Sequence, residues 1–172
     1  MSKLSALRAT RIVRDAGGKI VGRTRLQKIA YLLTVTGLEE GFRFAYKHYG
    51  PYSEELAQAA EDASLLGHLR EEQHQADWGG IYSIYSAGTD SSDEPPLPAR
   101  RRILDATVKA DAVVLELAAT AILLAKEGHS SPWDETERRK PEKAEGGRIG
   151  KAKELYLQLK KIETPIALPE IA

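Results

Sequence analysis

SEELAQAAEDASLLG, Ser53 to Gly67, is the stretch from which this sequence is best read. Ser53 is a helix N-cap, and Glu54 and Glu55 complement the positive end of the helix it starts. Leu56, Ala59, Ala60, Ala63 and Leu66 recur at helical spacing as a core face, and Gly67 ends the segment. Directly after it the pattern predicts a hairpin. His68 to Gln75 forms one arm, Asp77-Trp78-Gly79-Gly80 the turn, and the alternating Ile81 to Tyr85 the other. Toward the N-terminus, a first helix runs from Lys3 to Ala16 with Ala9, Ile12, Val13 and Ala16 on one face, stopped by Gly17-Gly18. A second starts at Thr24, where Thr24-x-x-Gln27 reads as a capping box, and buries Leu26, Ile29, Ala30 and Leu33 before Gly37. Helix, helix, connection, helix and hairpin is the order of a winged helix-turn-helix, in which the third helix commonly enters the DNA major groove. The connection here, with Phe42, Phe44, Tyr46, Tyr49 and Tyr52 around Gly50-Pro51, is longer than the usual short turn.

Beyond the hairpin, AGTDSSDEPPLP (residues 87–98) is a polar, proline-rich linker. A long helix from Ala99 to Lys126 is expected next, apolar on most sides from Ala112. A loop at Gly128 to Trp133, a charged segment to Pro141, an amphipathic helix from Arg148 to Ile162 and an extended tail complete the chain. The predicted fold class is mainly α with a small β-hairpin. A winged-helix-like unit spans 1–86, and a helical unit over 99–172 packs on it or on another subunit.

The chain has 172 residues and no cysteine, which excludes a disulfide framework, a thiolate nucleophile and thiolate metal sites. The apolar run from Ala112 to Ala125, interrupted by Glu116, is shorter than the roughly 20 residues of a membrane span. The charged start lacks a signal peptide's apolar core, so a cytoplasmic protein without membrane contact is expected. The 25 basic and 25 acidic residues cancel but are segregated. Residues 1–36 carry eight basic groups against Asp15 alone, whereas residues 37–99 carry twelve acidic and three basic. Local fields of this kind guide partners more than the total does.

That segregation argues against a DNA-reading third helix, because phosphate contacts supply much of the affinity. The helix offers Glu54, Glu55, Glu61 and Asp62 and no basic residue, and Glu71 and Glu72 extend the acidity into the hairpin. A protein-binding face is the sharper reading, with Tyr46, His48, Tyr49, Tyr52, Glu54 and Glu55 as its residues. The alternative is a DNA-binding regulator that uses Arg8, Arg11, Arg23, Arg25 and Lys28 of the basic helices. A third reading, an enzyme built on the aromatics and His48 as a titratable group, has the least support.

Two strings, GRTRLQKIAYLL (Gly22 to Leu33) and YKHYGPYSEEL (Tyr46 to Leu56), resemble the YwgA-like family of small bacterial proteins. More distantly they resemble the SocA-like or Panacea antitoxin domain. The resemblance covers about residues 20 to 86. It implies a winged-helix-like bacterial domain tied to toxin neutralisation, phage defence or genome-defence loci, and it supplies no catalytic residues.

Other chemistry is poorly represented. Gly17-x4-Gly22-Arg23-Thr24 nearly spells a phosphate-binding loop, but a predicted helix precedes it and Arg replaces the Lys. His129-Ser130-Ser131-Pro132-Trp133-Asp134 packs triad residue types into one loop and reads better as a helix cap. His68 and His74 lack a third metal ligand at suitable spacing, so no metal or other cofactor is expected. Glu116, inside the most apolar helix, is expected to pair with an arginine from another helix, since an unpaired buried charge is costly. The reading is a non-enzymatic regulatory, antitoxin or defence module that binds a partner protein, with a homo-oligomer also open.

Overall fold

The computed structural model describes residues 3–47, 50–88 and 94–172. It is mainly helical with small antiparallel sheets: α1 (Lys3–Asp15), β1 (Lys19–Val21), α2 (Arg23–Val35), β2 (Ala45–Lys47), β3 (Gly50–Tyr52), α3 (Glu54–Leu65), β4 (Arg70–Gln75), β5 (Ile81–Ser86), α4 (Pro98–Val108), α5 (Ala112–Lys126), α6 (Pro132–Arg139), α7 (Pro141–Ala144) and α8 (Arg148–Lys160). Strand β5 lies between β1 and β4, and β2 pairs with β3 as a separate hairpin.

Helices α2 and α5 are the centre of the packing. Nearly every residue from Leu26 to Leu33 and from Val114 to Leu124 is buried, as expected of helices covered on more than one side. Helix α2 packs on α4, α5 and β3, while α5 packs on α6, α8 and β3. Helix α1 packs on α3, and both buried faces are rich in alanine (Ala6 and Ala9; Ala59, Ala60 and Ala63), which lets the two backbones approach. One hydrophobic cluster runs from Ala6 to Leu168, so residues before and after the 87–98 stretch share a core.

Several expected elements change on folding. The long helix over 99–126 is two helices, broken where Asp111 accepts hydrogen bonds from the backbone N–H groups of Val113 and Val114 at 3.0 Å each. The Arg25 guanidinium donates to the carbonyls of Thr107, Val108 and Ala110 at the end of α4. The capping box at Thr24 does not form. Helix α2 begins at Arg23 with Gly22 as its cap and no side-chain cap bond, and Gln27 turns instead to the backbone of Ser53. Leu66 stays exposed rather than joining the core face of α3. The near phosphate-binding loop is occupied by β1, whose Ile20 is buried opposite Tyr85.

Two polar anchors, Arg100 and Arg25, join the first half of the chain to the second, and a buried ionic cluster at Glu116 ties the second half together. Arg100 on α4 is 6% exposed and donates to Asp15 Oδ2 at 2.8 Å, to the Leu38 carbonyl at 2.6 Å and to Glu39 Oε1 at 3.1 Å. Glu116 is buried and paired, but with lysines rather than an arginine: Lys143 Nζ reaches its two oxygens at 2.9 and 2.7 Å, and Lys140 Nζ lies at 3.1 Å. Arg25, bonded to the end of α4, is the second of the anchors between the halves. Gly50 lets β3 join this junction, since a Cβ there would lie 2.3 Å from Thr120 Oγ1 and its φ is +86°.

Arg100→Met should lower stability by about 3–5 kcal/mol, because Asp15 and Glu39 would keep their charges without the guanidinium. Urea unfolding measures this, and a loss under about 1 kcal/mol would refute the role given to Arg100.

Candidate functional site

A cleft of about 1030 Å³ opens between the start of α2, the length of α3 and the β4–β5 hairpin. Arg23 and Gln27 of α2 form one wall, Gln58 and Glu61 of α3 the second, and Glu71, Gln73 and Tyr85 of the hairpin the third. Tyr52 and Glu54 also line it. Strand alternation explains the hairpin's share. Glu71 pairs with Tyr85 and Gln73 with Ser83, so these residues share one face of the sheet. The buried Gln27 amide fixes the junction between α2 and α3, donating to the Ser53 carbonyl at 3.0 Å and accepting from the Ser53 N–H at 2.8 Å. The Ser53 hydroxyl in turn accepts from the Leu56 N–H and caps α3.

Of the residues expected to bind a partner, Tyr52 and Glu54 line this cleft. Glu54 is paired with Lys47, whose Nζ lies 5.5 Å from the centre of the Tyr52 ring. Glu55 faces elsewhere. It accepts from the backbone N–H of Arg43 at 2.8 Å and from its guanidinium at 3.2 Å, and those bonds hold its carboxyl below the usual range. Tyr46 sits against the second half of the chain, with the Arg139 guanidinium 4.8 Å from its ring centre. His48 and Tyr49 lie outside the described residues. The connecting aromatics are dispersed: Phe42 is buried in the core, and Phe44 meets Tyr31 edge-on at 5.4 Å.

All five basic candidates have partners inside the chain. Arg8 pairs with Glu40 at 3.3 Å, and Arg11 with Asp15 at 3.5 Å. Arg25 is held on the end of α4, and burial lowers its pKa. Lys28 is fully buried and donates to the Pro51 carbonyl at 2.8 Å. Arg23 reaches into the cleft and donates to Glu71 Oε2 at 2.9 Å, a bond that raises the arginine's pKa. Burial, reinforced by Glu71, lifts the Tyr85 hydroxyl to about 12. Sequence reasoning missed Glu71, Tyr85, Gln27 and Gln58 as cleft residues. For the two hairpin residues the signal was the period-2 alternation, which places them on the inner face of the sheet. Among the described residues no group of three or more His, Cys, Asp or Glu could hold a metal ion, and His74 stacks on Tyr82 instead.

Burial, together with Lys140 and Lys143 against the opposing pull of Glu116, depresses the Lys28 pKa from 10.5 to about 8. The unfolded chain keeps that proton to higher pH, so stability contributed at this site rises as pH climbs from about 8 toward 10. Lys28→Met should remove about 1–2 kcal/mol of the gain between pH 8 and 9.5, measured by urea unfolding at each pH. An identical pH slope in the two proteins would contradict the assignment.

No family model matches the chain. It is similar to a protein of Bacillus subtilis (strain 168) described as uncharacterized protein YwgA, with 31% identity over 111 residues. The match covers 61% of this chain and 66% of that protein, just under two thirds of the relative's length, and it supports a YwgA-like family.

Proposed function

We propose that residues 1–86 form a winged-helix-like unit, buttressed by 99–172, that acts as a non-enzymatic bacterial regulatory or antitoxin-type module in the cytoplasm. Its partner is a protein, bound in the cleft between α3 and the β4–β5 hairpin. The winged-helix reading is supported by the order α1, β1, α2, α3, β4, β5, with the β2–β3 hairpin inserted before α3, and by the sheet order β1-β5-β4. No helix among the described residues is long and apolar enough to cross a membrane. The antitoxin and defence context draws on the resemblance of Gly22–Leu33 and Tyr46–Leu56 to the SocA-like domain.

The observation that carries this reading is the charge of the cleft. The exposed charged groups α3 presents there are Glu54 and Glu61, and the hairpin adds Glu71. A groove with such walls repels phosphate and accommodates a protein surface. The DNA-binding alternative loses ground because Arg25 and Lys28 are drawn inside, while Arg8, Arg11 and Arg23 already meet carboxylates.

Affinity capture with the full chain, expressed in its native host, tests the reading. Glu54→Lys combined with Glu61→Lys should abolish recovery of the specific partner, while Glu55→Lys, which only breaks the contact with Arg43, should leave it intact. Equal recovery by all three proteins would refute the cleft as the binding face.

A further inference from the structure

Glu71 sits in the cleft as a carboxylate with room for another donor. Its side chain is 17% exposed, and its Oε2 accepts from the Ser83 hydroxyl at 2.7 Å and from Arg23 Nη2 at 2.9 Å. Among the described residues no hydrogen bond reaches its Oε1. An ionised carboxylate accepts at both oxygens and matches a guanidinium with two parallel bonds. Its present cation, Arg23, is 65% exposed, and exposed pairs of this kind are weakly held. Two residues of the cleft wall already engage a cation by the chemistry they would offer a partner: Lys47, which does not itself line the cleft, lies on Glu54 and near the face of Tyr52.

We infer that the cleft seats an arginine side chain from a segment of the partner protein, its guanidinium on Glu71 and further cations of that segment on Glu54 and Glu61. This rests on the reading of the cleft as a protein-binding face and adds the chemistry of what enters it. The incoming guanidinium takes the open Oε1 of Glu71 and competes with Arg23 for Oε2, while the buried Ser83 hydroxyl keeps the carboxylate in place. Arginine is favoured over lysine because only the planar fork can use both oxygens at once. The cation within the cleft besides Arg23 is Lys28, whose ammonium is buried and directed at the Pro51 carbonyl, so the open walls stay acidic.

The probe is fluorescein-labelled hexa-arginine, titrated with the full-length protein by anisotropy, with labelled hexa-lysine as the charge-matched comparison. Hexa-arginine should bind more tightly than hexa-lysine, and Glu71→Gln should weaken it about tenfold, whereas Glu154→Gln, with the same charge change at an exposed site on α8, should not. Arg23→Ala frees Glu71 and should tighten hexa-arginine more than Arg101→Ala does, a gain that misfolding cannot produce. The arginine seat is overturned by no binding, by equal affinity for the two peptides, by equal effects of Glu71→Gln and Glu154→Gln, or by no tightening in Arg23→Ala. Partner capture lost with Glu54→Lys and Glu61→Lys but indifferent to Glu71→Gln would overturn the seat and leave the cleft reading standing. Capture indifferent to every one of these changes would overturn the cleft reading itself.

Discussion

A guanidinium withdrawn from water at Arg100, held by Asp15, Glu39 and the Leu38 carbonyl, fixes how the two halves of this chain meet. A buried charge is tolerated only where the geometry answers it, and Arg100 is answered by groups that lie 61 to 85 residues earlier in sequence. Once α4 is placed, Arg25 closes its last turn and α5 follows along α2. The Glu116 carboxylate then comes to rest among Lys140 and Lys143, with Lys28 contributing to the same field. Hydrophobic burial drives these helices together, but it is non-directional, and the ionic anchors define the arrangement in which they pack.

The same anchors decide what the surface offers. The first 36 residues are strongly basic in sequence, yet Arg25 and Lys28 face inward, and Arg8, Arg11 and Arg23 each have a carboxylate. Charge that looks like a nucleic-acid footprint in one dimension becomes internal wiring in three. The acidic block is also partly paired, Glu54 with Lys47 and Glu71 with Arg23, but none of α3's carboxylates at the cleft is drawn into the core. Glu54 and Glu61 remain on the solvent side of α3, where they face the hairpin across an open cleft. The tip of the β4–β5 hairpin carries Trp78, 80% exposed, with its indole lying over Gly80, which adds apolar surface to this side of the molecule's exterior.

Helices α1, α2, α3 and α8 were legible in the sequence because their apolar periodicity is sustained, and the first three stop at glycines. The β4–β5 hairpin was legible from its turn residues and its alternation. Short elements were not. Strand β1 has one buried side chain, Ile20, and its partner β5 is distant in sequence, while β2 and β3 pair with each other but span three residues each, too short to show an alternation. The break between α4 and α5 was hidden because Asp111 acts as a cap only once a non-local group, Arg25, takes up the carbonyls before it. Glu54 and Tyr52, named from charge and aromatic clustering, line the cleft, while Glu71 was read as mere repulsion because its face depends on strand register. Arg25 and Lys28 were read as surface cations because burial of a charge cannot be seen in composition.

The most direct measurement is binding of the full-length protein to a mixed-sequence DNA duplex of about 30 base pairs, titrated from low to physiological salt. The internal engagement of the basic helices and the acidity of α3 predict no retention of the duplex even at low salt. Tight binding that falls steeply with salt, and that Arg8→Ala and Arg11→Ala remove, would contradict the account and move the working face to the first helix.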